Sequence, residues 1–254
     1  MTRAVIITSY LEYPLDIPAL IGPEDYLVCL DGGYDIALAH GLTPDLLIGD
    51  FDSMESDLPG DAPFQVRTFP PEKDYTDLEL AFRILDPARF PRLLVIGGLG
   101  GRLDQTAVNL QMLARYTAPP EGAKATAAGG QAASGGSAGG QAASGGSAGG
   151  QDAPAFAGID ILDGRNHAFV IHGDGTGPDE DPVLHLIPAE EDSYLSLLPL
   201  TEKCRGVSLQ GTRYPLEEAV LERGASLGIS NEFQAGQAAL SLREGSLLVM
   251  ISGA

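Results

Sequence analysis

Leu46-Leu47-Ile48-Gly49-Asp50-Phe51-Asp52-Ser53 decides the fold. A short apolar run of strand type ends in a glycine and then in two carboxylates that straddle an aromatic residue. In an extended segment Asp50 and Asp52 share one face and Phe51 points to the other, so two like charges meet where a strand ends. They repel unless a cation lies between them. The same arrangement recurs along the chain. Asp31 in Asp31-Gly32-Gly33 follows the run 26–30. Asp74 and Asp77 in Lys73-Asp74-Tyr75-Thr76-Asp77 follow 65–69, and Asp104 in Gly100-Gly101-Arg102-Leu103-Asp104 follows 93–96. Gly, Asp and Ser are ordinary turn formers, but acids at four successive strand exits match a ligand site on an open α/β sheet, which lies beyond the carboxyl ends of the strands. Oxygen donors without clustered His or Cys select a hard cation, here Mg²⁺.

Working outward, residues 4–8, 26–30, 46–48, 65–69 and 93–96 read as strands that alternate with helical patterns, the signature of βαβ units. A helix over 34–40 should stop at Gly41. Thr76-Asp77-Leu78-Glu79 has the capping-box form, and Leu78, Ala81, Phe82 and Leu85 follow at helical spacing. A third helix over 103–116 opens directly after the glycine run 97–101, so its unpaired N–H groups can meet an anion. Lys73 and Arg102 are the only cationic side chains inside the acidic segments, and phosphoryl chemistry needs such charges.

Residues 129–151 repeat GGQAASGGSA without charge or bulk and read as a flexible insertion. Beyond it, 159–162 with 167–171 and 238–242 with 246–252 read as two hairpins, with strands over 194–198 and 205–209 between them. The expected architecture is an α/β N-terminal domain with a mostly parallel sheet (1–118), a low-complexity insertion (119–156), and a small antiparallel β-sandwich or barrel domain (157–254).

With 254 residues and a net charge of −20, the chain is large enough for its own core and opposes nucleic acid and anionic lipid. Cys29 and Cys204 lie far apart with no metal spacing, which fits a reducing cytoplasm. No apolar stretch reaches the roughly 18 residues of a membrane span. The N-terminal apolar run is too short for a signal-peptide core. Gly98-x-Gly100 lacks the third glycine of a dinucleotide fingerprint, which is Leu103 here, and no Walker P-loop or GxSxG elbow occurs. His40, His167, His172 and His185 show no metal pairing and read as surface or hairpin residues.

Taken in order, Asp31-Gly32-Gly33, Gly49-Asp50-Phe51-Asp52-Ser53, Glu72-Lys73-Asp74-Tyr75-Thr76-Asp77, Gly100-Gly101-Arg102-Leu103-Asp104, the segment 194–199, Gly211-Thr212-Arg213-Tyr214-Pro215-Leu216 and Gly228-Ile229-Ser230-Asn231-Glu232 resemble the thiamine pyrophosphokinase family. The resemblance implies diphosphate transfer from ATP to the hydroxyl of thiamine, giving thiamine diphosphate and AMP, in a homodimer with active sites between subunits. It implies Mg²⁺ and phosphate-end roles for Asp31, Asp50, Asp52 and Asp77, and ATP contacts for Lys73 and Arg102. Ser53, Thr76 and Gly101 join the nucleotide set, and Asp74 supports the Lys73 loop. Asp104 then lies near the reacting hydroxyl, and Ser230 and Asn231 bind thiamine from the β domain. Relatives usually carry His where this chain has Gln105, which hydrogen-bonds but does not titrate near neutrality. Without Trp, Tyr214 and Phe233 remain as stacking platforms for a flat cation. Two other readings stay open from sequence: the same transfer to another hydroxymethyl heterocycle such as a pterin, and a silent nucleotide- or thiamine-binding regulator.

Overall fold

A computed structural model describes residues 3–70, 72–117, 154–177 and 179–253. The chain runs β1 (Ala4–Ile7), α1 (Ile17–Leu20), β2 (Tyr26–Leu30), α2 (Gly33–Ala39), β3 (Leu46–Gly49), β4 (Gln65–Thr68), α3 (Asp77–Ile84), β5 (Arg92–Ile96) and α4 (Leu103–Tyr116). It continues with β6 (Gly158–Asp163), β7 (Asn166–His172), β8 (His185–Pro188), β9 (Ser193–Pro199), β10 (Lys203–Gln210), β11 (Leu216–Glu222), β12 (Asn231–Glu232), β13 (Gln237–Ser241) and β14 (Ser246–Gly253).

The inner strands of the first half are apolar on both faces, as strands covered on two sides must be. In β1, Ala4 and Ile6 face a core with Phe82 of α3 and Leu113 of α4. Val5 and Ile7 face another with Ile17 of α1 and Tyr34 of α2. Thr76 caps α3 as its sequence form predicts, accepting from the Glu79 N–H at 3.2 Å, and α4 has the expected bounds. Gly41, with φ +68°, follows the end of α2.

One sheet of ten strands, in the order β12-β9-β14-β7-β6-β5-β1-β2-β3-β4, runs through both halves of the chain. The N-terminal strands pair in parallel, and β6 continues them by pairing with β5 from Arg92↔Gly158 to Ile96↔Leu162. From β7 onward the pairing is antiparallel. A second, four-stranded antiparallel sheet, β11-β10-β13-β8, packs on the antiparallel end across a core of Leu195, Leu197, Val207, Leu240, Val249 and others. The expected α/β half and β-sandwich half are both present, joined by a continuous ladder. The low-complexity stretch 129–151 lies outside the described residues.

One expected hairpin is not formed. β13 pairs with β10 and β8 in the small sheet, and β14 pairs with β7 and β9 in the large one. Ala238 and Leu240 on one strand, and Leu247, Val249 and Ile251 on the other, face the same core from opposite layers. An amphipathic strand pair around a short turn has the same pattern whether it closes a hairpin or turns a sandwich corner, so the pattern alone does not separate them. Among the described residues, no helix is long and apolar enough to cross a membrane.

Candidate active site

The strand order fixes where a ligand can sit. From β1 the chain moves outward to β2, β3 and β4, then returns to β5 on the other side of β1. That reversal opens a crevice at the carboxyl ends of β1 and β5. A cleft of about 670 Å³ lies there, lined by Thr8 and Tyr10 after β1, Asp31 after β2, Asp50 and Asp52 after β3, Lys73, Thr76 and Asp77 after β4, and Gly98, Gly100, Gly101 and Arg102 after β5.

Its acidic floor is held by backbone that few residues tolerate. Asp31 has φ +42° and Phe51 φ +67°, both in the left-handed region. The Asp31 carboxylate accepts the Phe51 N–H at 3.0 Å and fills the space where a Cβ on Gly49 would stand, so only glycine fits at the end of β3. Asp50 and Asp52 do not lie on an extended segment. The reversal at Phe51 makes a tight turn, in which the Asp50 carboxylate accepts the Asp52 N–H at 3.3 Å. The two carboxylates meet all the same, by a different route.

Charge in the cleft is poorly balanced. Burial, and then the charges of Asp77 and Asp50, push Asp31 up to about 6 against the opposing pull of the Phe51 N–H. Asp52 is raised by its hydrogen bond to Asp50 and then by the charges of Asp50 and Asp77. One ammonium answers them: Lys73 Nζ lies 2.6 Å from Asp77 Oδ1 and 3.9 Å from Asp50 Oδ2.

At the mouth, Arg102 Nε lies 3.1 Å from Asp104 Oδ1 in a two-bond pair. Both side chains are exposed, at 73% and 65%. The Arg102 hydrogen bond holds the Asp104 carboxyl below its usual range. Arg102 lines the cleft, whereas Asp104 is outside the lining and is tied to it through this pair. Arg102 is also the N-cap of α4 and makes no side-chain capping bond, which leaves the helix start facing the cleft. The glycine loop before it is pinned by Asn109, whose Nδ2 donates to Gly98 O at 2.8 Å, and by Thr106, whose Oγ1 accepts the Gly100 N–H at 2.9 Å.

Not every residue singled out in the sequence reaches this cleft. Ser53 Oγ accepts the Gly32 N–H at 3.3 Å, and it and Asp74 are exposed outside the lining. Tyr214, Ser230 and Asn231 lie at the β12 edge, seven strand spacings from β2, a separation of roughly 30 Å at the usual interstrand distance. There Ser230 has φ +54° and Tyr214 is 59% exposed. Asn231, only 3% exposed, uses its side chain within the chain: Oδ1 accepts the Tyr214 N–H, and Nδ2 donates to Tyr214 O and Thr212 Oγ1. The reading from sequence missed Thr8, Ser9, Tyr10 and Asn109, all in the lining. The first three also stand at a strand exit, but no carboxylate marks them. A larger cavity of about 1070 Å³ opens between β6, β7 and β8, away from the acids. His167 and Asp160 in its wall are paired with each other at 2.9 Å.

Comparison with known proteins identifies the family. A family model described as thiamin pyrophosphokinase, catalytic domain, matches residues 17–122, and one described as thiamin pyrophosphokinase, vitamin B1 binding domain, matches 184–247, together about two thirds of the chain. The chain belongs to the thiamin pyrophosphokinase family. The thiamine pyrophosphokinase of Bacillus subtilis is 26% identical over 246 residues, covering 93% of this chain and 92% of that one. Its fold is shared as well. A thiamine pyrophosphokinase crystal structure from Bacillus subtilis matches over 100% of both chains with a TM-score of 0.71 at 22% identity. One from Geobacillus thermodenitrificans matches over 100% of this chain and 98% of that chain with 0.69 at 24%. Within the family frame, the catalytic match runs through β2 to α4 and so contains all four acids of the cleft. The vitamin B1 match spans β8 into β14 and so contains the β12 edge.

Proposed function

We propose that this protein is a Mg²⁺-dependent thiamine pyrophosphokinase, transferring diphosphate from ATP to the hydroxyl of thiamine with release of AMP. One observation carries the reading: in a chain of this family, Asp31, Asp50, Asp52 and Asp77 converge with Lys73 and Arg102 in one cleft at the point where strand order reverses. The donor chemistry fits Mg²⁺. All four are hard oxygen ligands, and the raised Asp31 and Asp52 mark negative charge that a divalent cation relieves. Among the described residues, no three His, Cys, Asp or Glu side chains already surround one point, and Lys73 stands among the acids instead. When bound, Mg²⁺ supplies neutralisation of phosphate oxygens and a fixed orientation for the diphosphate.

The chain's own residues do the rest. The thiamine oxygen attacks the β-phosphorus in line, the new O–P bond forms, and the bond to the α-phosphate oxygen breaks so that AMP leaves. Lys73 and Arg102 hold phosphate oxygens as charge spreads. Thr76 and Gly101 complete the nucleotide side, Ser53 braces the Gly32 turn beside it, and exposed Asp74 supports the Lys73 loop. Asp104 accepts the hydroxyl proton. Its depressed pKa makes it a weak base while Arg102 is bound to it, so transfer comes late, when the hydroxyl has become acidic and Arg102 has turned to phosphate.

Thiamine itself is gripped at the β12 edge, by Tyr214 stacking and by Ser230. Asn231 serves by holding the Tyr214 backbone. The roughly 30 Å between that edge and the acids far exceeds the length of thiamine, so the two ends of one site come from two copies. This supports a homodimer with composite active sites. The vitamin B1 match favours thiamine over a pterin as acceptor. Free, buried Cys29 and Cys204 support a reducing cytoplasm, and the charge of −20 opposes nucleic acid and membrane partners. Incubation with ATP, Mg²⁺ and thiamine should yield AMP and thiamine diphosphate. Release of ADP, or no consumption of ATP, overturns the assignment, and stronger competition by a hydroxymethylpterin than by thiamine would transfer it to that substrate.

A further inference from the structure

We infer that Asp163 is a positioning residue for nucleotide binding, its buried carboxylate fixing the two loops that wall the cleft beside β1 and β5; this rests on the cleft being the ATP site. Asp163 ends β6 and is 0% exposed. One oxygen, Oδ1, accepts the backbone N–H of Glu12 at 2.8 Å and of Tyr13 at 3.4 Å, in the loop after β1. The other, Oδ2, accepts the N–H of Leu99 at 3.2 Å, in the glycine loop after β5. A single side chain therefore ties together two segments that are remote from it and from each other in sequence.

The tie extends to the cleft surface. Glu12, held through its backbone, uses its carboxylate to accept the Gly101 N–H at 3.0 Å and the Tyr10 hydroxyl at 2.7 Å. The Gly98 N–H reaches Tyr10 O at 3.3 Å, and the Gly97 N–H reaches Leu162 O at 2.7 Å. Tyr10, Gly98, Gly100 and Gly101 all line the cleft. Gly164, next to Asp163 at φ +57°, lets Tyr13 pack where a Cβ would stand. The residue type matters because both oxygens face donors. An ionised carboxylate accepts on both, whereas an asparagine of the same shape must turn an NH₂ toward one of the loops and lose it.

The test pairs a variant with a measurement on the unaltered protein. In Asp163→Asn, KM for ATP should rise about tenfold or more, with KM for thiamine within about twofold and kcat within about threefold, since positioning of one substrate is lost. A purely structural role would lower the melting temperature and the active fraction and leave both KM values where they were, and that result overturns the proposal. So does an equal rise in both. Hydrogen exchange on wild-type protein needs no variant to fold: the amides of Glu12 and Leu99 should be strongly protected although they lie in loops, and exchange at the rate of exposed amides overturns the proposal. Wild-type protein that fails to bind ATP in calorimetry overturns the functional reading and this role with it. Wild-type binding with an unchanged Asp163→Asn overturns this role alone.

Discussion

At the exits of β2 and β3, Asp31 is nine-tenths buried beside Asp50 and Asp77 and its carboxyl is pushed up to about 6. At the β12 edge Asn231 is buried deeper still, yet its Oδ1 and Nδ2 are both paired within the chain. Both residues belong to motifs that resemble a substrate site. The difference teaches that a motif residue can act in two ways. Asp31 and its neighbours keep a repulsion that Lys73 relieves only in part, a cost in folding that the proposed cation would remove on binding. Asn231 spends its hydrogen bonds on the scaffold and shapes the Tyr214 loop, the proposed thiamine contact.

The strongest break of that comparison comes from neutralising the acids. Asp50→Asn or Asp77→Asn should lower kcat by about 10² to 10³, as loss of a charge that orients a metal and phosphates does. The melting temperature of Asp50→Asn should stay level or rise, because like-charge repulsion is relieved. A large drop, read by calorimetry, would make the acidic floor scaffold like Asn231. Next, mixing two inactive chains, Asp77→Asn and Ser230→Tyr, should restore about a quarter of wild-type activity if each site draws its acids from one copy and its thiamine grip from the other. No recovery after subunit exchange would place both ends in one chain.

Asn231→Ala should act on stability, by about 2 kcal/mol for the lost buried hydrogen bonds, measured by urea unfolding. A rise in KM for thiamine without that loss would show direct contact instead. The smallest expected effect concerns another satisfied group of the sandwich half. His172 Nε2 lies 2.7 Å from Thr117 Oγ1, whose own proton goes to Leu113 O at 2.7 Å. Nε2 therefore carries the hydrogen, and Nδ1 accepts from the Ser246 hydroxyl at 2.8 Å. Burial lowers the His172 pKa, and that of His185 too. The unfolded chain then takes up protons near the ordinary value of about 6.5 before the folded one does. The contribution of these histidines is full above that pH and is lost as pH falls toward the lower folded values. His172→Gln should flatten the decline of the melting temperature over that window, and an unchanged slope would assign it to other groups.

Local chemistry was legible in the residues. The Thr76 cap, the span of α4 and the return of acids at strand exits each depend on neighbours within a few positions, where side-chain and backbone geometry are fixed by covalent spacing. The turn at Asp50-Phe51-Asp52 was not, because its reversal depends on Asp31, twenty residues earlier, accepting the Phe51 N–H. Nor was the partition of β13 and β14 between two sheets, since alternation shows which face is apolar and not which layer it belongs to.

By itself, then, the sequence determined the α/β series, the acidic exits with Lys73 and Arg102, and the switch to antiparallel strands beyond the insertion. Only the tertiary structure decided that one ladder joins the halves through β5 and β6, that Asp163 gathers two distant loops, and that Asn231 and the strand exits bearing the acids stand at separated positions of one sheet. The reason is physical: strand order and long-range hydrogen bonds follow from which apolar faces can be buried together across the whole chain, and no window of neighbouring residues contains that information.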